Sequence, residues 1–246
     1  DGSYINFFTG KGMTLDDARD YCLTGCVDGN VPARSRTQVV IFFIISQAFD
    51  IFMHNGYCRY TKENVGISTG DVTQMETFEE FYEAFCRQFK YLLGMAAERN
   101  NIELIIERDL FPDPFRSALM QNGVKDGKDI LNKGFAIENC SCLGAVGGVN
   151  VGDSLAAVKQ LVYDSKKYTM RELLTALDAD WVGFEAMRKD FINAPKYGNN
   201  LEEPDYFVAE IYRLFAETCA ENRTAYGGTV TPNAISISAH QPGGAV

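Results

Sequence analysis

The sequence predicts a single α/β domain of about seven helices with a few short strands. Three observations carry that reading. Segments with helical spacing and capping signals recur along most of the chain. The stretch from Phe135 to Val151 is small, apolar and glycine-rich, and reads as a buried strand or loop near a cavity. Near the end, Ile235-Ser236-Ile237-Ser238-Ala239-His240 alternates apolar and polar residues as a strand does. The 246 residues suffice for a large core, and no internal repeat or low-complexity linker marks a boundary, so residues 1–246 are read as one domain.

The elements follow in order. Thr14 caps a helix with acids at Asp16 and Asp17, expected to run to about Cys22 and deliver the chain to Gly25-Cys26-Val27-Asp28-Gly29. After Pro32 a long helix is expected from about Ser35 to Asn55, closed by Gly56. Residues 57–76, rich in Gly, Thr and charge, read as an exposed loop. Thr77 and Glu80 form a capping box, and Phe78, Phe81, Tyr82, Phe85, Phe89, Leu92 and Leu93 follow at helical spacing as a core-packing stripe. Pro112 and Pro114 break the next segment, and Phe115 to Asn122 forms a short helix ended by Gly123. Asp153 or Ser154 caps a helix holding Leu155, Val158, Leu161 and Val162. Thr169 and Glu172 make another capping box for a helix to about Ala179. Trp181 packs onto the next helix, which ends before Pro195, and Pro204 to about Asn222 is amphipathic with Phe207, Ile211, Leu214 and Phe215 on one side.

Composition narrows the classes. A formal charge of −10 argues against nucleic acid and anionic membrane surfaces, which both need a basic footprint. The seven cysteines are odd in number and sit on helices and apolar stretches, so reduced thiols in a cytoplasmic protein are expected. The start, Asp1-Gly2-Ser3, has neither the basic nor the apolar run of a signal peptide. The most apolar stretch, Val39 to Met53, is too short to span a bilayer and reads as a buried helix. The missing initiator Met and the abrupt end at Gly243-Gly244-Ala245-Val246 suggest a piece of a longer protein.

Cys26 and Asp28 are the leading catalytic candidates. A thiol and a carboxylate two residues apart, on a loop bracketed by glycines, can face one small cavity, where sulfur attacks a substrate while the acid moves a proton. The alternative for Cys26 is an inert buried thiol. Glu138, set between apolar or small residues, needs a partner if buried, and a polar substrate is one choice; a surface position is the other. His240 could point inward from its strand. His54, at a helix end, suits a solvated cation, and neither histidine comes with other signs of a Cys–His hydrolase. The cysteine spacings do not match zinc, so no metal is expected, and the glycines from 144 to 152 fit neither phosphate-binding fingerprint. Tight backbone packing explains those glycines better.

Several long segments, in order, resemble the glycyl radical enzymes, the pyruvate formate-lyase-like family. They are Asp17-Ala18-Arg19-Asp20-Tyr21 leading to Gly25-Cys26-Val27-Asp28, then Pro112-Asp113-Pro114-Phe115-Arg116-Ser117-Ala118-Leu119, then Val149 to Lys159, Asn193 to Asn199, and the tail Ser236 to His240 with Gly243-Gly244. The resemblance implies part of a ten-stranded α/β barrel surrounded by helices, equivalent to the C-terminal half of the family fold. It implies that Cys26 becomes a thiyl radical. The organic radical is stored on a glycine outside this segment, and a radical S-adenosylmethionine activating enzyme installs it. A homodimer, a small-molecule substrate and an anaerobic cytoplasmic setting follow from the same likeness.

Pyruvate formate-lyase-type chemistry uses two adjacent cysteines, whereas Gly25 and Val27 flank Cys26 here. The dehydratase, lyase and decarboxylase branch carries Cys-x-Glu with the acid as general base. Asp28 is one methylene shorter, a change in reach of about 1.5 Å. The resemblance therefore implies elimination or decarboxylation with Cys26 and Asp28 as catalytic residues and Glu138 and His240 against the substrate. Radical addition to fumarate, and an inactive fragment with only a binding role, are the competing readings.

Overall fold

The computed structural model describes residues 2–24, 28–36, 39–138 and 141–235. Among these the elements run α1 (Gly2–Gly10), α2 (Leu15–Arg19), β1 (Cys22–Thr24), β2 (Asp28–Asn30), β3 (Val39–Ile44), α3 (Ile45–Met53), β4 (Tyr57–Cys58), β5 (Glu63–Asn64) and α4 (Phe78–Leu110). They continue with α5 (Pro114–Ala118), α6 (Gln121–Asp126), β6 (Ser141–Val146), α7 (Gly148–Val158), α8 (Met170–Asp178), α9 (Glu185–Asn193), α10 (Glu202–Glu221) and β7 (Thr231–Ala234). The largest sheet among the described residues has the order β3-β6-β7, and β1-β2 and β4-β5 are two antiparallel pairs. The class is α/β, as predicted. By contact the chain falls into two compact units, residues 1–41, 96–144 and 219–233, and residues 42–95, 145–218 and 234–246.

The first unit starts with a helix that the sequence reading missed, α1, whose Phe8 packs with Ala18, Val31 and Ile137. Thr14 caps α2 as expected, its hydroxyl accepting the Asp17 N–H at 3.2 Å. The helix stops at Arg19 rather than Cys22, because Cys22, Leu23 and Thr24 pair with Asn30, Gly29 and Asp28. Downstream, the helix expected over 115–122 is two, and Gly127 at φ 61° closes α6 instead of Gly123. Gly123 lies inside α6 because it packs against the chain, a Cβ there falling 2.2 Å from the Ser117 carbonyl.

The second unit is built on aromatic rings. Phe81, Phe85 and Phe89 on α4 are fully buried. Phe85 lies 5.3 Å from Phe49 and 5.6 Å from Phe52 of α3, with edge-to-face geometry, and Phe43 meets Phe89 at 5.3 Å. These offset and edge-on contacts favour opposed ring quadrupoles beyond simple area burial. The stripe along α4 is therefore core, as its spacing predicted. At the capping box the Thr77 hydroxyl accepts the Glu80 N–H at 3.2 Å, while the Glu80 carboxylate accepts from Glu76 rather than from Thr77 itself.

The single helix expected over 35–55 is instead β3 followed by α3. Val39 to Ile44 is a run of β-branched and aromatic residues, which sheet packing favours and helix crowding disfavours. Helix begins where Ser46, Gln47 and Ala48 interrupt that run. It ends in a Schellman turn: Gly56 N–H donates to Ile51 at 2.8 Å, with Asn55 at φ 51° and Gly56 at φ 91°. His54, expected to be solvated, is not. Its side chain is only 12% exposed, with Nε2 3.0 Å from Asp178 and Nδ1 2.8 Å from the Asp50 carbonyl.

The glycines from 147 to 152 are packing residues, as expected, but neither Asp153 nor Ser154 caps a helix. The cap is Gly147 at φ 82°, so α7 starts at Gly148, well before Asp153. A Cβ on Gly148 would come 2.7 Å from the Tyr212 ring, and one on Gly152 would come 2.4 Å from Val208, so α10 approaches only because both are glycine. The Thr169–Glu172 capping box is complete, and Trp181 packs on Phe191 of α9 at 5.8 Å, both as predicted. β7 covers Thr231–Ala234, just before the strand expected over 235–240; of that stretch only Ile235 is described, outside any strand, its N–H donating to the Ala145 carbonyl at 3.0 Å. Residues 236–246 lie outside the described residues. No helix among the described residues is long and apolar enough to cross a membrane.

Phe85→Ala is expected to destabilise the chain by about 3–5 kcal/mol, since a fully enclosed ring leaves a cavity its neighbours cannot collapse into. Denaturant titration followed by circular dichroism checks this, and a loss below about 1 kcal/mol would show that the aromatic stripe is not the core.

Candidate active site

Asp28 opens β2 and stands opposite Thr24 on β1. Cys26 lies between them, and residues 25–27 are outside the described residues. What the structure places is the pair of strands on either side of that segment. The Asn30 amide donates to the Thr24 hydroxyl at 2.5 Å and to the Asp28 carbonyl at 3.3 Å. The Ser35 hydroxyl in turn donates to the Asn30 amide oxygen at 3.3 Å and accepts the Val31 N–H at 2.8 Å. Asn30 and Ser35 are buried, so this network has little water to compete with it. It ties both ends of the loop bearing Cys26 to one buried side chain. Gly29 allows the arrangement, because a Cβ there would fall 2.4 Å from the Tyr4 ring of α1.

The surroundings of Asp28 favour its protonated form. Desolvation by burial raises its pKa above the ordinary 3.8. Across from it is the Cys142 thiol of β6, fully buried and pushed up to about 12 by burial first and by the Asp28 charge second. Hydrogen bonding with the Asn233 side chain on β7 acts in the opposite direction. Cys142 therefore stays a neutral thiol, an inert neighbour that lowers the polarity around Asp28. The structure thus brings together Asp28, Cys142 and Asn233. The sequence reading singled out only the first. In the sequence Cys142 stands out only by its spacing from the other cysteines, and Asn233 carries no signal.

Glu138 is half-buried in the same unit. It accepts hydrogen bonds from the Thr224 hydroxyl and, at 2.9 Å, from the Gly228 N–H. The Thr224–Gly228 turn also closes on itself, Thr224 N–H donating to Gly228 at 3.1 Å. The carboxylate expected to need a partner has found two in this turn, and the two bonds fix the segment that leads into β7. His240, the other substrate-contact expectation, lies outside the described residues.

The fold agrees with the comparisons. The family model described as "Pyruvate formate lyase-like" matches residues 1–244. Trans-4-hydroxy-L-proline dehydratase of Clostridioides difficile is 31% identical over 93% of this chain and 29% of its own length. (2S)-3-sulfopropanediol dehydratase of Klebsiella oxytoca is 30% identical over 94% of this chain and 28% of its own. The crystal structure of the C. difficile hydroxyproline dehydratase with its substrate bound superimposes with a TM-score of 0.87 at 29% identity, covering 95% of this chain and 30% of that one. The chain belongs to the pyruvate formate-lyase-like family of glycyl radical enzymes, among its dehydratases and lyases. It spans less than a third of the length of the relatives it matches.

Two predictions follow from this geometry. Because folding raises the Asp28 pKa, the stability this group contributes is full below its unfolded value of 3.8 and is lost as pH rises through the folded value. Asp28→Asn is therefore expected to unfold at higher denaturant than the parent at pH 7, with the difference vanishing near pH 3. A variant less stable than the parent at pH 7 would show that the carboxylate is stabilised rather than desolvated. Glu138→Ala removes the acceptor of the Thr224 hydroxyl and leaves the Gly228 N–H only its 3.1 Å bond to that hydroxyl oxygen; it is expected to cost about 1–3 kcal/mol, and amide exchange should rise first in residues 224–230.

Proposed function

We propose that the complete enzyme is a glycyl radical dehydratase or lyase in which Cys26 exchanges hydrogen atoms with the substrate and Asp28 is the general base. The observation that carries this reading is Asp28 itself. It is a half-buried carboxylate, raised in pKa, two residues from the loop thiol and held by the network around Asn30. A base with raised affinity for protons can take one from a substrate hydroxyl and return it to a leaving group. Radical addition to fumarate needs no such group, so the acid favours elimination.

The glycine-centred radical of the family, outside this segment, supplies the unpaired electron. Cys26, as a thiyl, takes a hydrogen atom from a substrate carbon bearing a hydroxyl, forming S–H and a carbon radical. Asp28 accepts the proton of that hydroxyl, which concentrates electron density on the oxygen. The bond from the adjacent carbon to the leaving group breaks, with both its electrons going to the leaving group. The carbonyl forms, and the unpaired electron stays on the adjacent carbon. Asp28 returns its proton to the leaving group. The product radical then takes the hydrogen atom back from Cys26.

Glu138 and His240 contact the substrate in this proposal, Glu138 from the turn it organises at Thr224 and Gly228. The whole enzyme works as an anaerobic cytoplasmic homodimer, activated by a radical S-adenosylmethionine enzyme. The relatives that share the aligned segment, a hydroxyproline dehydratase and a sulfopropanediol dehydratase, support a small hydroxylated substrate.

In the complete, activated enzyme, Cys26→Ala should abolish turnover without changing the circular dichroism spectrum or the glycyl radical signal in electron paramagnetic resonance. Asp28→Asn should retain exchange of substrate hydrogen with Cys26 while losing about 10²–10⁴-fold in kcat. Turnover preserved in the first variant would exclude sulfur as the hydrogen carrier. Unchanged kcat in the second would remove Asp28 as the base.

A further inference from the structure

The second unit holds a cavity of about 410 Å³ that no step above uses. It lies within the size range of small-molecule sites. Most of its wall is apolar, with the Phe49, Trp181 and Phe191 rings and Leu173 among the lining groups. Three charged side chains interrupt that wall: Asp50, Asp153 and Lys196.

Asp50 is already neutralised. Arg59 donates to both of its oxygens, at 2.5 and 3.3 Å, so it offers no open charge. The other two are different. The Lys196 ammonium donates to the Phe191 carbonyl at 3.0 Å and the Ala194 carbonyl at 2.7 Å. Both acceptors are neutral, so one N–H and the full positive charge remain. Burial accordingly lowers its pKa, while the Asp153 charge pulls the other way. Asp153 accepts the Tyr197 N–H on Oδ1 at 2.7 Å, which leaves Oδ2 as an acceptor. Among the described residues Lys196 and Asp153 form no direct ion pair, although both line the same cavity.

Trp181 adds a second observation. Its φ is 62°, directly after Asp180 at 48°. Asp180 is the ordinary left-handed residue after a helix, but a large aromatic residue in that region is a true outlier held there against its own backbone preference. The Trp181 N–H donates to the Ala176 carbonyl at 2.8 Å, and its ring packs at 5.8 Å against Phe191, so the strained turn holds the indole on the cavity wall.

We propose that this cavity binds an α-amino acid with an apolar side chain. Its carboxylate would sit against Lys196, its ammonium against Asp153, and its side chain among Phe49, Trp181 and Leu173. A zwitterion supplies both missing counter-charges at once. A simple cation or anion would satisfy one and leave the other exposed to an apolar wall. This ligand site is separate in its residues from Asp28, Cys142 and Asn233, and does not depend on the radical reaction.

The test is calorimetric titration of the complete polypeptide, not activated, with L-phenylalanine, phenethylamine (no carboxylate) and 3-phenylpropionate (no ammonium). Saturable binding of L-phenylalanine is expected, with each analogue weaker by about tenfold or more. Lys196→Met should weaken L-phenylalanine by about tenfold or more and leave phenethylamine unchanged, while Lys196→Arg should retain binding. Asp153→Asn, which keeps an acceptor for the Tyr197 N–H, should weaken L-phenylalanine but not 3-phenylpropionate. Equal affinity for all three compounds, no saturable binding, or binding indifferent to both Lys196→Met and Asp153→Asn would each overturn the assignment. Unchanged circular dichroism of Lys196→Arg and Asp153→Asn guards against reading a folding defect as a binding one.

Discussion

The constraint on which the rest depends is the complete burial of β6. Every residue from Ser141 to Val146 is enclosed, with β3 on one side and β7 on the other. A strand covered on both faces cannot alternate polar and apolar residues, so it reads as small and apolar throughout. That is why Cys142 is a thiol without water, and why its neighbour Asp28 feels a medium of low polarity. The low-polarity setting of Asp28 is in this sense a by-product of a strand that has no wet side.

The consequence for chemistry is a division of labour between two sulfurs. Cys142 is held neutral, its pKa pushed up to about 12, and takes no charge from Asp28. Asp28 keeps the higher proton affinity that a base needs. The loop thiol, Cys26, is left as the reactive sulfur in the proposed mechanism. The network from Ser35 through Asn30 to Thr24 and Asp28 supports this by fixing the loop at both ends through a single buried amide. Cutting that amide would loosen both ends together, which pairwise hydrogen-bond energies would underestimate.

Helices with caps and periodic stripes were legible because their causes are local. Thr14 and Thr169 each satisfy backbone donors three residues away, and the α4 phenylalanines recur with the helical repeat. Errors fell where a neighbour distant in sequence decides. Val39 to Ile44 is continuous in apolar content with the helix that follows, and its β-branched and aromatic residues become a strand by pairing with β6. His54 looked like a solvated helix end because Asp178, which covers it, is more than a hundred residues away in sequence. Asp153 looked like a cap because the true cap, Gly147, is set by the turn between β6 and α7.

By itself the sequence determined the class and the family, and it singled out Cys26 and Asp28 as candidates, because these rest on residue identity and short spacing. It also marked Glu138 as a carboxylate that needs a partner if buried, and left open whether it is. Only the tertiary structure decided who the partners are: Thr224 and Gly228 for Glu138, Cys142 and Asn233 around Asp28, and Lys196 with Asp153 on one cavity wall. Those choices turn on which segments far apart along the chain come to share a space, and on the loss of water there, neither of which a linear pattern encodes.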